Sequence, residues 1–173
     1  MNIVSSALGH YEVTGNPDNA DIIIGHSFGT FVGEGSANRS IADFALQIAD
    51  NRPIVADRML VDEFPNRDED VDFVVEGAIS NGVGQGVGSW GTLAEAKAYM
   101  EREKLKSALL VGQTHHIGRV AMQARKLGII SIVPAGLPSN FDPESDQRWT
   151  RTLILWLPRE IIGSFVLRAQ KKL

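Results

Sequence analysis

The stretch Ala108–Gly128, ALLVGQTHHIGRVAMQARKLG, leaves a chain like this few folds to choose from. Its first residues, Ala108-Leu109-Leu110-Val111, form a continuous apolar run closed by Gly112, the pattern of a short strand buried on both faces. Ile117, Val120, Ala121, Ala124 and Leu127 then recur at i, i+3, i+4, i+7 and i+10, the stripe of a helix packed on a sheet. Gly128 follows as a C-terminal stop. Between strand and helix lies a polar loop, Gln113-Thr114-His115-His116. Strands that hand over to helices in this way build open α/β sheets, which bind ligands at the edge where the hand-over occurs. The first amide groups of a helix lack intrahelical partners and favour anions. Arg119 sits about one turn beyond His116, so both side chains reach one cleft.

The same alternation runs through the chain. Asp21-Ile22-Ile23-Ile24-Gly25 is a β-branched run of the kind parallel sheets bury, and Pro53–Ala56, Val71–Glu76 and Ile129–Val133 are further strands. The glycines at 25, 29, 33 and 35 let the backbone turn sharply and approach a ligand closely. Ser36 or Asn38 caps the next helix, which has Ile41, Phe44, Ala45, Ile48 and Ala49 on its apolar face and Arg39 in its first turn. Ser89 or Thr92 starts another, carrying Leu93, Ala96, Tyr99 and Met100. Pro158 opens the last helix, with Ile161, Ile162, Phe165 and Ala169 turned inward. Met59–Phe64 reads as strand or loop, Asn66–Asp70 as a charged turn and Thr150–Trp156 as helix or extended chain. Met1–Asn19 reads as an irregular arm, or one with a short strand. Gly77–Gly91, with six glycines, is too long for a plain connection, and such loops carry function. Strands alternating with helices predict a single α/β domain over residues 1–173. The expected arrangement is Rossmann-like, three-layer αβα, around a mainly parallel sheet of about five strands.

Composition narrows the function classes. The chain has 173 residues, 43% of them hydrophobic, enough to fill a core. A net charge of −4 gives no electrostatic footprint for nucleic acid or an anionic membrane. The absence of cysteine removes disulfides, thiol catalysis and thiolate metal sites. No basic segment leads into a long apolar core at the N-terminus, and no apolar run approaches the roughly 20 residues a membrane helix needs. The expectation is a soluble, cytoplasmic protein whose partner is a small molecule. No spaced metal-ligand motif is present, and adjacent histidines point in different directions on a regular backbone, so His115 and His116 do not chelate one metal together.

Taken in order, these segments resemble the SanA/YdcF/ElyC-like family of α/β proteins. The resemblance rests on the acidic residue, strand and Gly-rich loop Asp21–Gly29, and on Arg39 heading the next helix. It rests also on Ser89-Trp90-Gly91-Thr92-Leu93-Ala94-Glu95-Ala96 and on Leu110–Arg119, a strand, a histidine loop and an arginine three residues on. Pro158–Gly163 is similar to the closing helix with its glutamate. The chain departs from the family pattern at Gly112-Gln113, where Thr-Ser is usual, and at Ala94-Glu95, where Glu-Asn is usual. The resemblance implies a Rossmann-like fold and a soluble, YdcF-like form. It also implies S-adenosylmethionine as a cofactor to consider, since one member is reported to bind it. Other members are linked to envelope maintenance.

Three readings of the chemistry follow. In the first, the Gly25–Gly35, Gly77–Gly91 and Thr114–Arg119 loops form a cleft for an anionic or nucleotide-like molecule. Gly25, His26, Ser27 and Gly29 line its first wall, Arg39 and Arg119 neutralise charge, and His116 donates a hydrogen bond or shuttles a proton. Ser89, Thr92, Gln113, His115 and Glu160 complete the binding set. Glu76, at a strand end, is a candidate acid/base or ribose-binding group, as are Glu95 and Glu160. In the second reading, Gly25-His26-Ser27-Phe28-Gly29 matches the G-x-S-x-G nucleophile elbow. Ser27, Asp57 or Glu76, and His116 then make a hydrolase triad in the required order. In the third, the domain is structural or binds a partner.

Overall fold

The computed structural model of the chain describes residues 3–30, 33–76 and 88–173. Its strands are β1 (Ile22–Gly25), β2 (Ile54–Asp57), β3 (Phe73–Val75), β4 (Ser107–Val111) and β5 (Ile130–Ile132). They form one all-parallel sheet in the order β3-β2-β1-β4-β5. Every residue of β1, β2 and β4 is buried, as their unbroken apolar runs require. Ile24 faces Val55 on one side and Leu110 on the other, so β1 is the spine of the sheet.

The helices are α1 (Ile3–Ala7), α2 (Ala37–Gln47), α3 (Arg58–Val61), α4 (Arg67–Asp70), α5 (Gly88–Glu103), α6 (Thr114–Lys126) and α7 (Leu153–Ala169). α2 packs with α3, while α5 and α1 pack on α6 and α7 packs on α1. Right-handed crossovers put the two groups on opposite faces, giving the three-layer, Rossmann-like αβα arrangement. The chain steps outward from β1 to β2 and β3, then crosses back over β1 to β4 and β5. The loops that leave β1 and β4 therefore part in opposite directions at the C-terminal ends of the strands, the switch point at which open α/β sheets bind ligands.

Several local readings need correction. Met59–Phe64 is neither strand nor plain loop. It contains most of α3, because the Asp57 side chain accepts a hydrogen bond from the Leu60 amide and caps a helical turn. Asn66–Asp70 contains the single helical turn α4. The N-terminal arm holds α1, a 3-10 turn at Pro17–Asn19 and an antiparallel bridge between Thr14 and Val133, just past β5. Residues 77–87 of the glycine-rich stretch, including Asn81 and Gln85, lie outside the described residues, and Gly88–Gly91 are already helix.

The last helix starts at Leu153, capped by the Thr152 hydroxyl, and Pro158 lies inside it. Pro158 falls on the solvent side of the helix, as does Ile154, whose carbonyl it leaves without an intrahelical donor. The inward face of α7 is Trp156, Glu160 and Ser164, whereas Ile162, Phe165 and Ala169 are exposed and Ile161 is half-buried. Periodicity misleads here because α7 is apolar on both sides, and a polar contact of Glu160 decides which side is buried.

Candidate functional site

β1 and β4 deliver two loops to this switch point. The His26 amide donates to the Val111 carbonyl at 2.9 Å, extending the ladder one residue and placing the imidazole beside the end of β4. The glycines around it serve the chain's own packing. A Cβ on Gly25 would stand 2.6 Å from Leu60 Cδ2, and one on Gly29, at φ +86°, would stand 2.7 Å from Asp142 Oδ2. Both positions admit a neighbouring side chain, which is a sufficient reason for glycine there without a ligand.

On the β4 side, Gln113 caps α6. Its Oε1 accepts from the His115 amide at 2.7 Å, its carbonyl accepts from the His116 amide at 2.9 Å, and the Thr114 amide donates to the Pro138 carbonyl at 2.9 Å. The amides expected to be open to an anion are thus already partnered. One turn further on, Arg119 ties three helices together, α5, α6 and α7. Its Nε donates to Glu160 Oε1 at 2.7 Å, Nη1 to Ser89 Oγ at 2.9 Å and Nη2 to His116 Nδ1 at 2.9 Å. These bonds use three of the five N–H donors of the guanidinium. Ser89 in turn donates to Gln123 Oε1 at 2.7 Å.

The protonation states follow from this geometry. An arginine only donates, so His116 Nδ1 is an acceptor and the neutral ring carries its proton on Nε2. Burial first, then the Arg119 and His26 charges, hold His116 well below the usual histidine range. Burial, then Arg119, pushes His26 down to about 3. Burial raises Glu160 in spite of its arginine partner. The switch point therefore holds two neutral imidazoles beside one buried ion pair. His26 Nε2 is buried and forms no hydrogen bond among the described residues, and neither does His116 Nε2. Trp156 backs the cluster, its ring 5.7 Å from His116 and 4.7 Å from Phe28.

The β1 side is built differently. Ser36 caps α2 by accepting from the Arg39 amide at 2.8 Å. Asp142 Oδ1 accepts from the Ala37 amide, while Glu63 Oε1 takes the Gly33 amide at 2.7 Å and the Ser36 hydroxyl at 3.0 Å. Asn38 is buried and holds the Phe28 amide at 2.7 Å. Asp142 Oδ2 has no partner among the described residues, and burial pushes this carboxyl up to about 6. Two carboxylates of the chain itself occupy the place where the glycine-rich loop suggested a cradle for a bound anion.

The remaining residues disperse. The Ser27 amide donates to Asp57 Oδ2 at 2.9 Å, and Ser27 and His116 share no hydrogen bond among the described residues. Glu76 is exposed and pairs with Arg58. Its strand, β3, is separated from β4 by β2 and β1, roughly 14 Å at the usual strand spacing, so Glu76 does not meet His116. Arg39 lies at the surface, 3.1 Å from Asp43. The Thr92 hydroxyl donates within α5 to the Gly88 carbonyl at 3.3 Å. His115 turns away from His116, with its ring 5.0 Å from that of Phe141. Trp90 lies in the first turn of α5 with the Lys172 ammonium 5.9 Å from its ring. No group of three or more His, Cys, Asp or Glu among the described residues is placed to hold a metal ion. The sequence reading missed Asp142, Glu63 and Gln123, which sit in unremarkable polar surroundings and gain meaning only from distant partners.

No family model matches the chain, and no curated protein and no solved structure matches it either. The arrangement itself offers a donor at His116 Nε2, an unpartnered nitrogen at His26 and residual donors on Arg119, all at the switch between β1 and β4.

Proposed function

We propose that the chain binds a small, acceptor-rich molecule, anionic or nucleotide-like, in the crevice between the ends of β1 and β4. The observation that carries this reading is the buried Nε2 of His26, which no described residue satisfies, beside the neutral imidazole of His116 at the switch point. Buried polar groups without partners are rare and costly, and a ligand that reaches His26 Nε2 while accepting from His116 and Arg119 removes that cost. The carboxylates at the start of α2 repel a second negative charge, which directs the charged part of the ligand toward α6. A resemblance to YdcF-like proteins adds S-adenosylmethionine to the molecules worth testing.

Thermal melting against S-adenosylmethionine, ATP, AMP and inorganic phosphate tests the reading. A ligand at 100 times its Kd adds about 2.7 kcal/mol of stability, roughly 5–10 °C for a chain of this size. The His26→Phe variant, whose own melting point reports whether it folds, loses the shift. If no member of the panel moves the melting point and native mass spectrometry finds no bound molecule, the reading fails.

A further inference from the structure

α7 carries two apolar faces. Trp156, Glu160 and Ser164, flanked by the half-buried Leu153, Leu157 and Leu167, point into the domain. On the opposite side, Ile154, Leu155, Ile162, Phe165 and Val166 fall within one third of the circumference at 3.6 residues per turn. Ile154 is 81% exposed, Ile162 62% and Phe165 60%. Five of the nine large exposed apolar side chains of the described residues sit on this one helix, which makes it a patch rather than scatter.

The charges around the patch say what covers it. Arg159 borders the apolar arc on one side and Arg168 on the other, and Lys171 follows the helix. The only carboxylate of α7, Glu160, is buried against Arg119. The chain as a whole is acidic, at −4, yet the exposed charges of α7 and of Lys171 just beyond it are all basic. Two copies of α7 packed face to face would bring these cations together with no exposed acid on either helix to offset them. An anionic lipid surface satisfies both features, because the apolar arc enters the acyl boundary while the cations meet the headgroups.

We propose that α7 lies flat on an anionic lipid surface through its Ile154–Val166 face, with Arg159, Arg168 and Lys171 at the headgroups. No helix of the described residues is long and apolar enough to cross a membrane, so the contact is with one leaflet. Net charge summed over the sequence hides this footprint, since the acidic residues lie on other elements.

Co-sedimentation of the full chain with vesicles of phosphatidylcholine alone, and of phosphatidylcholine with phosphatidylglycerol, tests it. The expected result is partition onto the anionic vesicles only, weakened by added salt. Ile162→Glu with Phe165→Glu abolishes partition while the melting point holds, because both side chains face solvent. Arg168→Gln with Lys171→Gln lowers partition about 30-fold, at roughly fivefold per cation. Equal binding to both vesicle types, or to neither, overturns the proposal. So does a dimer in analytical ultracentrifugation that Ile162→Glu with Phe165→Glu dissolves, since a second copy would then own the face.

Discussion

α2 and α6 start at the same edge of the sheet and are finished in opposite ways. α6 is capped by the neutral amide of Gln113, and beyond the cap it carries a buried cation, Arg119, balanced by Glu160. α2 is closed by carboxylates, Asp142 on its first amide and Glu63 on the loop before it, and no cation pairs with either among the described residues. A helix start attracts negative charge, and here the protein supplies that charge itself on one side only. The crevice is thereby divided into an acid-filled half and a histidine half, and only the second has donors to spare.

The sharpest way to break this contrast is to remove one partner on the α6 side. Glu160→Ala leaves Arg119 buried and unpaired and lowers stability by about 3–5 kcal/mol, read from urea denaturation. A loss below 1 kcal/mol would mean that the pair is not desolvated. Acid attacks the same half. His26 titrates near 3 in the folded chain and near 6.5 when unfolded, so between those values the unfolded state binds the extra proton. Stability contributed by His26 is full above pH 6.5 and falls by about 2 kcal/mol on going to pH 5, and His26→Gln flattens this limb of a stability–pH curve.

The α2 side responds with the opposite sign. Asp142 titrates near 6 when folded against 3.8 when unfolded, so the native state holds its proton longer and loses stability as pH rises through that window. Asp142→Asn keeps an acceptor for the Ala37 amide and stabilises the chain by about 1–2 kcal/mol at pH 8, with the gain shrinking to nothing by pH 4. A gain independent of pH would remove Asp142 from the account. The smallest effect belongs to residues outside the contrast. Glu76→Ala breaks an exposed pair with Arg58 and leaves both the denaturation midpoint and any ligand-induced melting shift within experimental scatter. A fluorophosphonate probe leaves Ser27 unlabelled, since it bonds Asp57 and shares no hydrogen bond with a histidine among the described residues; labelling lost in Ser27→Ala would restore the hydrolase reading.

The sheet and α6 were legible because their signals are local. Ile22–Ile24 and Ala108–Val111 are unbroken runs, and the i, i+3, i+4 stripe of α6 has one apolar face and therefore one solution. α7 has two apolar faces, so its pattern fixes a helix but not its rotation. The Arg119–Glu160 contact supplies that, and it joins residues from separate helices. The approach of His116 to Arg119 was readable from helical spacing. The reason for glycine at 25 and 29 was not, because it lies in Leu60 and Asp142, which approach only after the chain has folded. Glycine-rich loops after a strand look alike whether they make room for a ligand or for a side chain.

The two outermost strands, β3 and β5, are three residues each, and Thr14 bridges the chain just beyond β5 through its backbone and its hydroxyl. A parallel sheet ends in unpaired amides that can template another molecule's backbone, and short rims with a strap across one of them offer little to copy. Short rims of this kind keep molecules from zipping together edge to edge, and the N-terminal arm guards the rim at β5. A chain shortened past Thr14 would lose this strap together with the packing of α1 on α6 and α7, and with them its protection against fibrous association.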